Sequence, residues 1–241
     1  MQCCLPAAHG LCVTIYLYGC SSILTRQLVA TVKSFKFIAH RGGSYMDNGS
    51  GELIVKLIQE SIKVKQLLLE DKELLSQIAD VTREFVSALS KGHKILLFGN
   101  GGSAADSQHI AAEFVGRFQM ERTPLPALAL TVNTSALTGI GNDYAYENVF
   151  SRQIEALGSP GDVAVGISTS GKSPNVLKAL AVAKAKGLVT VALTGKFGSM
   201  LKEVSRYCLC VPSNQTPRIQ ECHILIGHIV SQMTETELFA K

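Results

Sequence analysis

Five short aliphatic runs, at 95–98, 126–132, 162–167, 188–193 and 207–211, punctuate the second half of the chain, and segments of helical periodicity fill most of the gaps between them. Runs so uniformly apolar do not suit a strand with one wet face; they suit strands covered on both sides. Such strands alternating with helices predict a parallel sheet between two helical layers, an α/β architecture that binds ligands beyond the carboxyl ends of its strands. The intervening helices are expected at 135–140, 148–157, 174–186 and 199–206, with a long final helix at 218–239.

Ahead of this region, Leu53, Ile54, Leu57, Ile58, Ile62 and Val64, then Leu75, Ile78, Val81, Phe85, Val86 and Leu89, recur at helical spacing. Two such helices cannot bury their apolar faces alone, so they pack on the main domain or on another subunit. Lys91 and Gly92 close the second. The expected organisation is an extension over 1–45, a helical segment over 46–92 and an α/β domain over 93–241. Residues 1–46 contain no Asp or Glu and hold Cys3, Cys4, Cys12 and Cys20 of the seven cysteines. This segment resembles neither a signal peptide nor the rest of the chain, and a start at Met46 with residues 1–45 dispensable is the favoured expectation. Its four basic residues, Arg26, Lys33, Lys36 and Arg41, account for the whole net charge of +4. The remainder is balanced, so nucleic acid is not expected as a partner. No apolar run of the domain reaches membrane-spanning length, so no membrane is expected either. Cys208, Cys210 and Cys222 fit a reducing compartment and small buried side chains.

The stretch 94–117, KILLFGNGGSAADSQHIAAEFVGR, combines a strand, a glycine turn (Gly99, Asn100, Gly101, Gly102), a Ser103 N-cap and a helix. Glycines allow backbone N–H groups to approach a polar ligand, and the helix start adds partial positive charge. The turn fits the GxGxxA dinucleotide fingerprint, but the second strand ends at Val132, Asn133 and Thr134 without the ribose-binding acid. GISTSGKS at 166–173 fits the P-loop pattern, but no following strand supplies the metal-holding Asp of an NTPase. Its hydroxyls, Ser168, Thr169, Ser170 and Ser173, at a helix start suit a phosphate monoester. His109 and Glu113 lie at i and i+4, on one helix face, and suit general acid-base work or a divalent metal such as zinc. Gln220 and His228 lie about 12 Å apart along one helix, so if both serve one site the spacing argues for different protomers.

Taken together, GNGGSAADSQHIAAE, TGIGNDY, GDVAVGISTSGKSPNV, VALTGK and RIQECHILIGH resemble the sugar isomerase (SIS) domain family, and within it the sedoheptulose-7-phosphate (phosphoheptose) isomerases. The resemblance runs over residues 51–239. It implies a three-layer, flavodoxin-like αβα sandwich with a five-stranded parallel sheet, a homotetramer with sites shared between subunits, and a bacterial cytoplasmic enzyme supplying heptose for surface polysaccharide. By position, Asn100, Gly101, Gly102, Asn142 and Asp143 would touch the sugar, Glu113 and Gln220 would also contact substrate, and Ser168, Thr169, Ser170 and Ser173 would hold the phosphate. His109, Glu113, Gln220 and His228 would hold one zinc ion per subunit, with Glu113 as base and His228 as acid. Relatives of this subfamily that bind without catalysis, including a replication-initiator-associating type, lack the acid and the second histidine; this chain has Glu113 and His228.

Overall fold

The computed structural model describes residues 48–240. The extension over 1–45 and the expected start at Met46 lie outside them. Two long helices come first, α1 (Asn48–Glu70) and α2 (Lys72–Ser90). Asp71 separates them: its extended backbone ends the first, and its carboxylate caps the second by accepting from Leu74 N at 3.0 Å. Gly92, at φ 78°, ends α2 in the left-handed conformation that glycine adopts without strain.

The rest alternates as expected: β1 (Ile95–Gly99), α3 (Gly102–Val115), β2 (Ala127–Ala129), α4 (Thr134–Tyr144), a 3₁₀ turn (Tyr146–Asn148), α5 (Ser151–Leu157), β3 (Val163–Ser168), α6 (Pro174–Ala185), β4 (Val189–Thr194), α7 (Ser199–Val204), β5 (Tyr207–Cys210) and α8 (Thr216–Phe239). All five strands are parallel, in the order β2-β1-β3-β4-β5. Ile95, Leu96, Leu97 and Phe98 have no exposed surface, which is why β1 shows no alternation of polar and apolar residues. One buried cluster joins α2, α3 and α8 to one sheet face through Phe85, Phe114 and Ile226. The other joins α5, α6 and α7 to the opposite face through Phe150, Ile154 and Leu180. Those are the three layers.

Two boundaries differ from expectation. The strand expected over 126–132 shrinks to Ala127–Ala129, an edge strand, because Asn133 caps α4 by accepting from Ala136 N and turns the chain away. Helix α3 starts one residue before Ser103. Gly101, at φ 56°, makes the turn, and Ser103 is buried in the first turn instead of capping it.

α1 rests on α8 through Ser61 Oγ donating to Glu221 at 2.6 Å and Arg218 donating to the Leu57 carbonyl at 2.7 Å. Leu53, Ile54, Leu57, Ile58 and Ile62 nevertheless remain exposed along it.

Candidate active site

The carboxyl ends of β1 and β3 open onto two turns. The first, Gly99 to Gly102, passes so close to its surroundings that a Cβ on Gly99 would lie 2.9 Å from the Ile167 carbonyl. Asn100 projects from this turn into a reciprocal amide pair with Asn175, at 2.9 Å in both directions, and also accepts from the Tyr146 hydroxyl at 3.2 Å. Ala145, at φ 74°, ends α4 and brings Tyr146 round to make that bond. Asn175 is buried in the first turn of α6. The amide pair therefore ties the glycine turn to the serine loop.

In that loop Ser168 Oγ and Ser173 Oγ are hydrogen-bonded at 2.8 Å, and Ser170 Oγ accepts from Lys172 N at 3.3 Å. Gly171 stands at φ 69°, where a Cβ would meet Gly198 Cα at 2.7 Å. Hydroxyls thus ring the start of α6, whose cap residue Ser173 makes no side-chain bond to the helix. Hydroxyls at the positive end of a helix form an anion cradle. Thr169, Ser170, Lys172, Lys196 and Ser213 also line a recess of about 280 Å³ alongside it.

On α3, His109 Nε2 is 3.2 Å from Glu113 Oε1 and 2.9 Å from His228 Nε2 of α8. One ligand atom from each of the three lies within 4.8 Å of the others. The edges of a tetrahedral site with nitrogen and oxygen ligands at 2.0–2.2 Å measure about 3.3 Å, so two imidazoles and a carboxylate at these separations fit a divalent ion with a fourth position open. The helices come close enough because Gly227 faces Ile110; a Cβ there would lie 2.6 Å from Ile110 Cδ1.

Gln220 lies against the same helix one end earlier: a Cβ on Gly102 would be 2.3 Å from Gln220 Nε2. Helix α8 therefore runs alongside α3, with Gln220 over the glycine turn and His228 over His109. The separation of Gln220 and His228 thus does not by itself demand two protomers, since one chain brings His228 to His109 and Glu113. Asn142 and Asp143 are exposed at the end of α4 and bond to each other at 2.8 Å. No bond joins them to the glycine turn, which Tyr146 reaches instead.

Several residues of the site were not among those expected from sequence. Asp106, one turn before His109, has a buried carboxylate oxygen with no hydrogen-bond partner; burial raises its pKa, and the nearby His109 offsets this in part. Its i, i+3, i+7 spacing with His109 and Glu113 was the available clue. Phe118 stacks on the His228 ring, centroids 5.6 Å apart. The loop carrying it hangs on Glu235, which accepts from Phe118 N at 3.1 Å, Gln119 N at 2.7 Å, Met120 N at 3.0 Å and Arg122 Nε at 3.0 Å. Arg122 also donates to the carbonyls of Glu113 and Phe114, closing the end of α3. Burial would raise the Glu235 pKa, yet these donors hold it below the usual carboxylate range.

The SIS domain family model matches residues 62–195. A phosphoheptose isomerase of Aneurinibacillus thermoaerophilus is 54% identical over 182 residues, 76% of this chain and 92% of that protein. The chain belongs to the phosphoheptose isomerase family of SIS-domain proteins. A solved phosphoheptose isomerase from Neisseria gonorrhoeae superposes with a TM-score of 0.72 at 42% identity, covering 77% of this chain and 98% of that one. Another from Francisella tularensis gives 0.74 at 35% identity, covering 78% and 98%.

Proposed function

We propose that this protein is an aldose-ketose isomerase that converts D-sedoheptulose 7-phosphate to D-glycero-D-manno-heptose 7-phosphate, the first step of heptose supply for bacterial surface polysaccharide. The observation that carries the chemistry is the meeting of His109, Glu113 and His228 beside a hydroxyl-rich anion cradle. Non-catalytic relatives lack that acid and second histidine, so the cluster favours the enzyme over a binding protein.

The phosphate would sit on Ser168, Thr169, Ser170 and Ser173, with Lys172 and Lys196 at the rim of the neighbouring recess. This anchors one end of an extended sugar and delivers C1 and C2 towards α3. Glu113 would take the proton from C1 of the ketose and return it to C2, through an enediol. His228 would supply a proton to the C2 oxygen and accept one from the C1 hydroxyl. Asn100, Gly101, Gly102, Asn142, Asp143 and Gln220 would hold the sugar hydroxyls. His109, Glu113 and His228 would hold one zinc ion per subunit, with its fourth position open to the substrate or to Gln220 of a neighbouring subunit, and the ion when bound polarises the carbonyl or fixes the hydroxyls.

We place the enzyme in the cytoplasm, with its sugar phosphate substrate; no helix among the described residues is long and apolar enough to cross a membrane. A homotetramer with sites completed by neighbouring subunits is supported by the exposed apolar residues of α1 and by the openness of the cluster, where His109 is 51% exposed.

The test is turnover of sedoheptulose 7-phosphate with and without a chelator. Ketose-to-aldose conversion is expected, and chelation should lower it. Absence of any conversion by metal-replete protein, together with capture of a replication initiator protein, would favour the binding role instead.

A further inference from the structure

β5 is the outer strand of the sheet, paired only with β4 among the described residues. Cys208 and Cys210 lie two residues apart on it, on one face, with their Sγ atoms 3.7 Å apart. They open into a recess of about 110 Å³ whose other walls are Asp71, Glu73, Leu74 and Gln77 at the start of α2, and Lys202 of α7. Nothing in the isomerase chemistry uses these residues, which sit on elements other than those carrying His109, Glu113 and His228.

Two sulfurs bound to a tetrahedral ion at about 2.3 Å stand about 3.8 Å apart, so the observed separation already matches one edge of such a site. Oxygen donors are at hand. Gln77 Oε1 is buried and accepts no hydrogen bond, while Gln77 Nε2 donates to Glu73 at 3.3 Å. Asp71 is committed as the cap of α2 and is not available. Glu73 does not converge on both sulfurs as His109, Glu113 and His228 converge on one another. It is exposed, and to turn towards the sulfurs it would give up the bond from Gln77 Nε2.

The two thiols are hydrogen-bonded to each other. The hydrogen bond from Cys208 lowers the Cys210 pKa to about 7 against the effect of burial, with Lys202 assisting, while the same bond and burial push Cys208 up. Binding of a thiophilic cation would displace the remaining thiol protons.

We propose that Cys208 and Cys210 form a two-sulfur site for a thiophilic d¹⁰ divalent cation of the Zn²⁺ and Cd²⁺ class, completed by Gln77 Oε1, a rotated Glu73 or water. Two thiolates and one carboxylate leave one net negative charge around a divalent ion, which Lys202 offsets. Soft sulfur ligands select this class over Mg²⁺ or Ca²⁺.

The experiment uses the full-length, reduced, metal-free protein titrated with Cd²⁺, following the near-ultraviolet sulfur-to-cadmium charge-transfer absorption, which imidazole and carboxylate ligands do not produce. The part of the absorption that is lost when both cysteines are replaced together should correspond to one Cd²⁺ per chain. Cys208→Ser and Cys210→Ser should each weaken that binding by about tenfold or more and reduce the absorption, with isomerase turnover unchanged. In the unsubstituted protein, excess Zn²⁺ should protect Cys208 and Cys210 from alkylation, mapped by mass spectrometry; this second measurement does not depend on the variants folding. An absent absorption band, a band undiminished in both variants, or alkylation at these two positions that ignores Zn²⁺ would overturn the proposal. The pair would then be a hydrogen-bonded pair of thiols and nothing more.

Discussion

Glu235→Ala is expected to be the most damaging single change outside the cluster of His109, Glu113 and His228. Glu235 and Arg122 are each 2% exposed in their side chains. Truncation leaves the guanidinium without its counter-ion and the N–H groups of Phe118, Gln119 and Met120 without their acceptor. Removing one partner of a buried pair costs about 3–5 kcal/mol. Rehydration of the loop, whose Gln119 is exposed, keeps the backbone N–H groups from adding much to that. For a domain of this size each kcal/mol lowers Tm by about 2–4 °C, so a drop on the order of 10 °C is expected in a thermal melt. Glu235→Gln should lose nearly as much, because its amide NH₂ would face N–H donors on one side. Turnover should fall as well, since the loop carries the Phe118 ring that stacks on His228. The sign with pH follows from the lowered pKa. Glu235 contributes its stabilisation above the unfolded carboxylate value near 4.3, and that contribution is lost as pH falls through the depressed folded value. A Tm within about 3 °C of the parent, with normal turnover, would refute the claim that this pair holds the loop.

Glu113→Gln should abolish turnover with little change in Tm. Because Glu113 and His228 meet within one chain, mixed assemblies of Glu113→Gln and His228→Ala subunits should recover no activity; recovery would show that the working pair is divided between subunits. Ser170→Ala with Ser173→Ala should raise KM for the sugar phosphate, while Lys172→Ala is mild and ATP gives no thermal shift; ATP stabilisation without a sugar-phosphate effect would restore the P-loop assignment. His223 is fully buried, and burial lowers its pKa to about 4, with the Thr194 backbone opposing only in part. The unfolded chain therefore takes up the proton first, stability declines by about 3 kcal/mol as pH falls from 6.5 to 4, and His223→Leu should flatten that part of a denaturation-versus-pH profile. Gly227→Ala should spread α3 and α8 at Ile110 and weaken both turnover and metal retention, measured by metal content after dialysis.

The alternation of buried strands with helices, the glycine turn, the serine loop and the one-face placement of His109 and Glu113 were all legible in sequence, because each depends on periodicity or local backbone freedom within a few residues. The P-loop and dinucleotide patterns could be set aside on the same basis, since the acids they need are missing at fixed offsets. What spacing along one helix could not show was what Gln220 and His228 each lie against. Measured along their own helix they are far apart, yet α3 runs beside them, and each faces a different part of the same site. The pairing of Asn100 with Asn175, the suspension of the Phe118 loop from Glu235 and the approach of the Cys208 and Cys210 sulfurs to one recess behave the same way. The residue types were visible, but their partners lie far along the chain, 75 positions for Asn100 and Asn175 and 117 for Phe118 and Glu235. Local sequence thus determined the secondary structure, the layer order and the chemistry on offer. Only the tertiary structure decided which of those groups meet, because side-chain convergence depends on how closely packed helices approach, and that distance is set here by contacts such as Gly227 on Ile110.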